Sequence, residues 1–173
     1  MVDESGILII AAVLIGLWSF RWRWAAGALP PELKTARLIY AERVFRSRGS
    51  ITLTAKLDRA YRVGTGPLIL VELKTRRSHR AYPSDVIELS AQRVAVQAQT
   101  GERVAEYAYV LVERPSGRKA GWYRVDLMAP ADVVALALRR EALLAGLIEP
   151  RCARSIWICQ DCVFWPECRL LQN

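Results

Sequence analysis

Leu68-Ile69-Leu70-Val71, running straight into Glu72-Leu73-Lys74, is the stretch that most narrows what this chain can become. Four large apolar residues with no polar alternation suit a strand buried on both faces, the central position in a sheet covered by helices. Such a strand needs partners, and the flanking sequence offers them. Thr52 to Val63, with Leu53, Ala55 and Leu57 alternating, predicts a neighbouring strand. Gly64-Thr65-Gly66-Pro67 predicts the turn between the two, because glycine takes backbone conformations closed to most residues. Arg103 to Val112 and Ala120 to Leu127 predict two more strands on either side of the turn Pro115-Ser116-Gly117.

Three helices complete the pattern. Glu32 to Arg46 follows Pro31, which suits a first helical turn. Asp85 to Gln99 has Ser84 as a cap and Ile87, Ala91, Val94 and Ala98 along a buried face. Ala131 to about Leu147 carries Asp132 in its favourable first turn. The order is α/β without internal repeats, and 173 residues give room for one ordinary domain.

The beginning of the chain reads differently. Gly6 to Phe20 is uncharged, and Arg21-Trp22-Arg23-Trp24 closes the run. That pattern predicts a transmembrane anchor over residues 6–24, with tryptophans at the headgroup level and arginine stems lying along apolar surface. A cleaved signal fits less well, since its positive charge normally precedes the apolar run. Asp3 and Glu4 before the run and arginines after it predict a single pass through the cell membrane, with the larger part facing the cytoplasm. The formal net charge of +8 favours polyanions or anionic membrane surfaces as partners, and excludes neither.

Asp58, Glu72 and Lys74 carry the candidate chemistry. A hairpin joining their two strands would bring the carboxylates together as hard oxygen ligands for Mg²⁺ or Mn²⁺, with Lys74 orienting water or offsetting phosphate charge. On the residues alone, Glu72 and Lys74 fit the polar end of a strand equally well. An unpaired carboxylate closing so apolar a strand would pay a desolvation cost, which favours a site. Arg76, Arg77 and Arg80 follow closely and are candidates for contact with nucleic-acid phosphates.

With Asp58, Glu72-Leu73-Lys74 and Gln92 in this order, the chain resembles the PD-(D/E)XK nuclease superfamily, specifically its RecB-like branch that includes the CRISPR-associated iron-sulfur exonucleases. The resemblance runs from about Glu32 to Cys168 and implies a restriction-endonuclease-like mixed central sheet flanked by helices, with a nuclease core over residues 30–148. It also implies metal-dependent phosphodiester hydrolysis, with DNA and exonuclease action as its reading. Asp58, Glu72 and the Leu73 carbonyl would hold the metal, Lys74 would position water, and Gln92 would orient the site. Departures from the family pattern are visible. Val96 stands where the family's Gln-x-x-x-Tyr motif has tyrosine, and the single histidine, His79, lies after Lys74 rather than before Asp58. Glu42, on the expected first helix, is a candidate acidic substitute for that histidine.

All four cysteines, Cys152, Cys159, Cys162 and Cys168, fall near the C-terminus, predicting a metal-bearing tail over residues 149–173. Their spacing suits four thiolates around zinc or a [4Fe–4S] cluster, and chemistry alone does not separate the two. The family resemblance implies the cluster, through Cys159, Cys162 and Cys168, with Cys152 taking the place of a ligand that relatives carry before the core.

Overall fold

The computed structural model describes residues 29–116 and 120–149. Its element order is a short 3₁₀ turn (Pro31–Leu33), β1 (Arg37–Arg46), β2 (Thr54–Arg62), β3 (Leu68–Thr75), α1 (Pro83–Thr100), β4 (Val104–Glu113), β5 (Ala120–Asp126) and α2 (Pro130–Leu144). The chain divides into two units, Met1–Ala135 and Leu136–Asn173, and the sheet and α1 belong to the first. The five strands lie in the order β1-β2-β3-β4-β5. Strand β3 runs parallel to β4, and every other neighbouring pair is antiparallel. This is a mixed α/β sheet flanked by helices.

The apolar run behaves as its composition dictates. Leu68, Ile69, Leu70 and Val71 are all buried, and β3 takes the middle of the sheet. Its alternate residues serve two cores. Leu68 and Leu70 join Phe45, Leu57, Ala108 and Val110 in one core, together with Leu89, Ala95 and Val96 of α1. Ile69 and Val71 join Leu33, Tyr109 and Leu111 in the other. Each such side chain contributes about 1.5–3 kcal/mol when fully buried, so shifting β3 by one residue would exchange both sets at once. Tyr109 donates its hydroxyl hydrogen to Glu32, tying the 3₁₀ turn to this second core.

Helix α1 is the crossover between the parallel strands β3 and β4, the connection that parallel neighbours require. It begins two residues earlier than Asp85, with Tyr82 rather than Ser84 at the cap position and Pro83 in the first turn. Asp85 closes the end reciprocally: its Oδ2 accepts the Tyr82 N–H at 2.7 Å, while its own N–H donates to the Tyr82 carbonyl at 3.0 Å. At the other end Gly101 takes φ +70, a left-handed position that glycine fills without a Cβ clash.

The expected helix over Glu32 to Arg46 is corrected, because Arg37–Arg46 is the edge strand β1. Pro31 does open a turn, but only the short 3₁₀ turn Pro31–Leu33, and the strand that follows is irregular. Its register against β2 shifts between Leu38 and Tyr40. Glu42 then sits at φ +49, unusual for a residue with a side chain, and such a kink protects a sheet edge from further pairing. Glu42 is exposed and ion-paired with Lys56, so it does not serve as an added ligand on a first helix.

Among the described residues no helix is long and apolar enough to cross a membrane. The expectations of a transmembrane anchor over residues 6–24, a bilayer partner and a single-pass cell-membrane location find no support in the described helices. The Gly6 to Phe20 run that suggested them lies outside the described residues.

Candidate nucleic-acid interface

Residues Asp58 on β2, Glu72 and Lys74 on β3 and Gln92 on α1 meet where the helix crosses the sheet. Glu72 and Lys74 are two apart on one strand and therefore face the same side, toward α1. Glu72 is only 4% exposed, and both of its oxygens are engaged. Oε1 lies 2.7 Å from the Lys74 ammonium, and Oε2 accepts from Gln92 Nε2 at 2.8 Å. Gln92 Nε2 also donates to the Lys56 carbonyl at 3.0 Å, which links the helix to β2. Asp58 Oδ2 accepts the Leu73 N–H at 2.9 Å. Leu73 thus enters the cluster as a hydrogen-bond donor to Asp58.

Sequence reasoning missed the residue that completes this arrangement. Glu88 Oε2 accepts from Lys74 Nζ at 2.7 Å, so the ammonium bridges two carboxylates. Its signal was present: Glu88 precedes Gln92 by four residues, one turn along the same helix face. Burial lifts the Glu72 pKa above the ordinary carboxylate range, with the charges of Asp58 and Glu88 adding to it, although Lys74 and Gln92 pull the other way. Burial alone would lower Lys74, but its bonds to Glu72 and Glu88 prevail and hold the ammonium above the ordinary lysine range. Lys74 is therefore held as the ammonium that bridges the two carboxylates.

These contacts correct the metal reading. Glu72, inside β3 rather than at its end, has its compensation already, from an ammonium and an amide. Among the described residues no group of three or more His, Cys, Asp or Glu side chains could hold a metal ion. Gln92 Oε1 is buried and without a partner among the described residues, yet one amide oxygen beside a paired Glu72 does not make the octahedral oxygen set that Mg²⁺ demands. The residues do not fit Mg²⁺ or Mn²⁺, and the metal-dependent nuclease and exonuclease activities are set aside with them. For the same reason the described residues hold no site for a [4Fe–4S] cluster or zinc. The expected thiolate ligands Cys152, Cys159, Cys162 and Cys168 lie outside those residues.

Beside the cluster, the loop from β3 to α1 is basic and well tied down. Arg76 turns inward: its two terminal nitrogens meet Asp85 at 3.2 and 2.6 Å, and one also donates to the Arg80 carbonyl at 2.7 Å. The Arg76 and Arg80 guanidinium carbons lie 4.4 and 4.8 Å from the centre of the Tyr82 ring. The Tyr123 hydroxyl donates to the His79 carbonyl at 2.6 Å, and Arg114 Nε donates to His79 Nε2 at 2.6 Å. Arg76 is thereby committed to structure. Arg77, Arg80 and Arg114 stay exposed, and among the described residues none has a carboxylate partner.

No protein-family model matches the chain, and no curated protein matches it significantly. Among solved structures it is similar to one described as the crystal structure of SSO0001, at 20% identity and a TM-score of 0.44, covering 93% of this chain and 68% of that one. A likeness at that level carries no argument about what the chain does.

Proposed function

We propose that this domain binds nucleic acid through the basic margin formed by Arg77, Arg80 and Arg114. The observation that carries the reading is that three exposed arginines, on the loops that follow β3 and β4, have no carboxylate partner among the described residues. Ligands of α/β sheets favour this location, the crevice past the carboxyl ends of parallel strands. Unpaired arginines there offer planar, forked donors suited to phosphate oxygens. The net charge of +8 adds long-range attraction to any polyanion.

The same reading places the domain as a binding descendant of the PD-(D/E)XK superfamily. Support comes from the ordered set Asp58, Glu72-Leu73-Lys74 and Gln92 meeting under a crossover helix. The ion-paired cluster would then act as a strut that holds β3 and α1 at a fixed distance below the arginine margin.

Fluorescence anisotropy with single- and double-stranded DNA and RNA oligonucleotides, over a salt series, tests this. Phosphate contacts make log K fall with log salt by about 0.7 per contact on single strands and about 0.9 on duplexes. Replacing Arg77, Arg80 and Arg114 together by Gln should weaken binding at least tenfold at low salt, about 1.4 kcal/mol. It should also make the slope shallower by about two. An unchanged slope and affinity in a folded triple variant would overturn the proposal.

A further inference from the structure

The basic margin is not uniform. Arg77, Arg114, Pro115 and Ser116, all exposed, line an open depression of about 360 Å³. It lies just past the last ladder pair of the parallel strands, Thr75 with Glu113, and the Arg76 N–H donates to the Glu113 carbonyl at 2.9 Å, joining the two loops at their roots. Arg77 and Arg114 therefore leave adjacent parallel strands at nearly the same level and flank one space. Arg114 is held at its Nε by His79, and the His79 carbonyl is held by Tyr123, so this guanidinium is set in direction before any ligand arrives. Among the described residues Arg77 has no ion-pair or hydrogen-bond partner at all.

We infer that this depression is a subsite for a terminal phosphomonoester, so that the domain prefers a nucleic-acid strand with a phosphorylated end over one ending in hydroxyls. The inference rests on the nucleic-acid reading and deepens it. A phosphodiester inside a strand carries a single negative charge, whereas a terminal monoester carries about −1.5 to −2 at neutral pH and presents three strong acceptor oxygens. Two arginines lining one depression reward the second charge, because each can make forked, charge-assisted bonds to separate oxygens. Arginines spread apart along a surface would reward internal phosphates equally. The depression exceeds a phosphate group and reaches the lower end of the volumes typical of small-ligand sites, about 300–1,000 Å³.

The test compares one short single-stranded oligonucleotide in three forms: 5′-phosphate, 3′-phosphate, and hydroxyl at both ends. Wild-type protein should bind at least one phosphorylated form about tenfold more tightly than the hydroxyl form, roughly the value of one added charge-assisted contact. The favoured arm identifies the end. That preference should vanish in Arg114→Gln and in Arg77→Gln, each checked for folding by circular dichroism, while Arg80→Gln weakens all three forms and keeps the preference. Inorganic phosphate at millimolar concentration should compete with the phosphorylated form more than with the hydroxyl form. Equal affinity for all three forms in wild type would overturn the subsite and leave the proposed function standing. A preference that survives in both Arg114→Gln and Arg77→Gln would also overturn it. Binding of none of the three would overturn the subsite and the nucleic-acid reading together.

Discussion

Lys74→Met should be among the most destabilising single substitutions on the sheet, costing about 3 kcal/mol or more in urea unfolding, because it strands a buried carboxylate. Glu72 is 4% exposed and has the Lys74 ammonium at 2.7 Å as its charge partner; Gln92 alone would remain. The size of the effect comes from that orphaned charge more than from the intrinsic worth of the pair. Replacing both residues, as Glu72→Leu with Lys74→Met, should therefore recover most of the loss, since apolar replacement of a buried ion pair is often neutral or better. The deficit of the single variant should also shrink as pH falls. Burial already raises the Glu72 pKa, removal of Lys74 raises it further, and protonation then removes the stranded charge. Added Mg²⁺ should not restore Lys74→Met, because no oxygen set awaits it. Recovery by millimolar Mg²⁺ would mean that the cluster holds a cation after all.

The second large effect lies at the root of α1. Asp85→Ala should destabilise the domain by about 3 kcal/mol, through loss of a buried partner to Arg76 together with loss of a helix cap. Asp85 is 2% exposed, meets both terminal nitrogens of Arg76 and accepts the Tyr82 N–H. Burial would raise its pKa, but Arg76 and the Tyr82 N–H outweigh burial and hold the carboxyl below the ordinary aspartate value. The sign of the pH dependence follows. A carboxyl whose folded pKa is depressed contributes its full stability above the unfolded value, about 3.9, and loses it as pH falls through the lower folded value. Wild type should thus lose stability on acidification below about pH 4 more steeply than Asp85→Asn. Urea midpoints between pH 2 and pH 6 measure the difference, and parallel curves would contradict the assignment. Because Arg76 also holds the Arg80 carbonyl, Asp85→Ala should loosen the basic loop and weaken oligonucleotide binding at temperatures where the core is still folded.

The centre of this fold was legible because the requirements there coincide. Leu68 to Val71 had to be buried on both faces, and the residues after it had to alternate, so β3 and the common face of Glu72 and Lys74 followed from pattern alone. The edge was not legible. A register shift near Ile39 and the left-handed backbone of Glu42 break the two-residue period of β1, so no alternation marks it as a strand. Asp58, Glu72, Lys74 and Gln92 were recognisable as a group. What they do for each other was not, because the sequence does not reveal that Glu88 comes within 2.7 Å of the Lys74 ammonium. A carboxylate in need of a cation looks the same in sequence whether the cation is a metal or a lysine. Arg76 illustrates the same point in the loop: its charge suggested phosphate, but Asp85, nine residues later, claims it.

Incubating the wild-type chain with an end-labelled oligonucleotide, first in EDTA and then in Mg²⁺ or Mn²⁺, tests the central claim most directly when binding and strand integrity are followed in the same samples. The account predicts the same affinity in EDTA and in either metal, apart from ordinary ionic screening, and an intact strand throughout. Metal-dependent shortening of the strand by wild type, lost in Glu72→Gln, would contradict it.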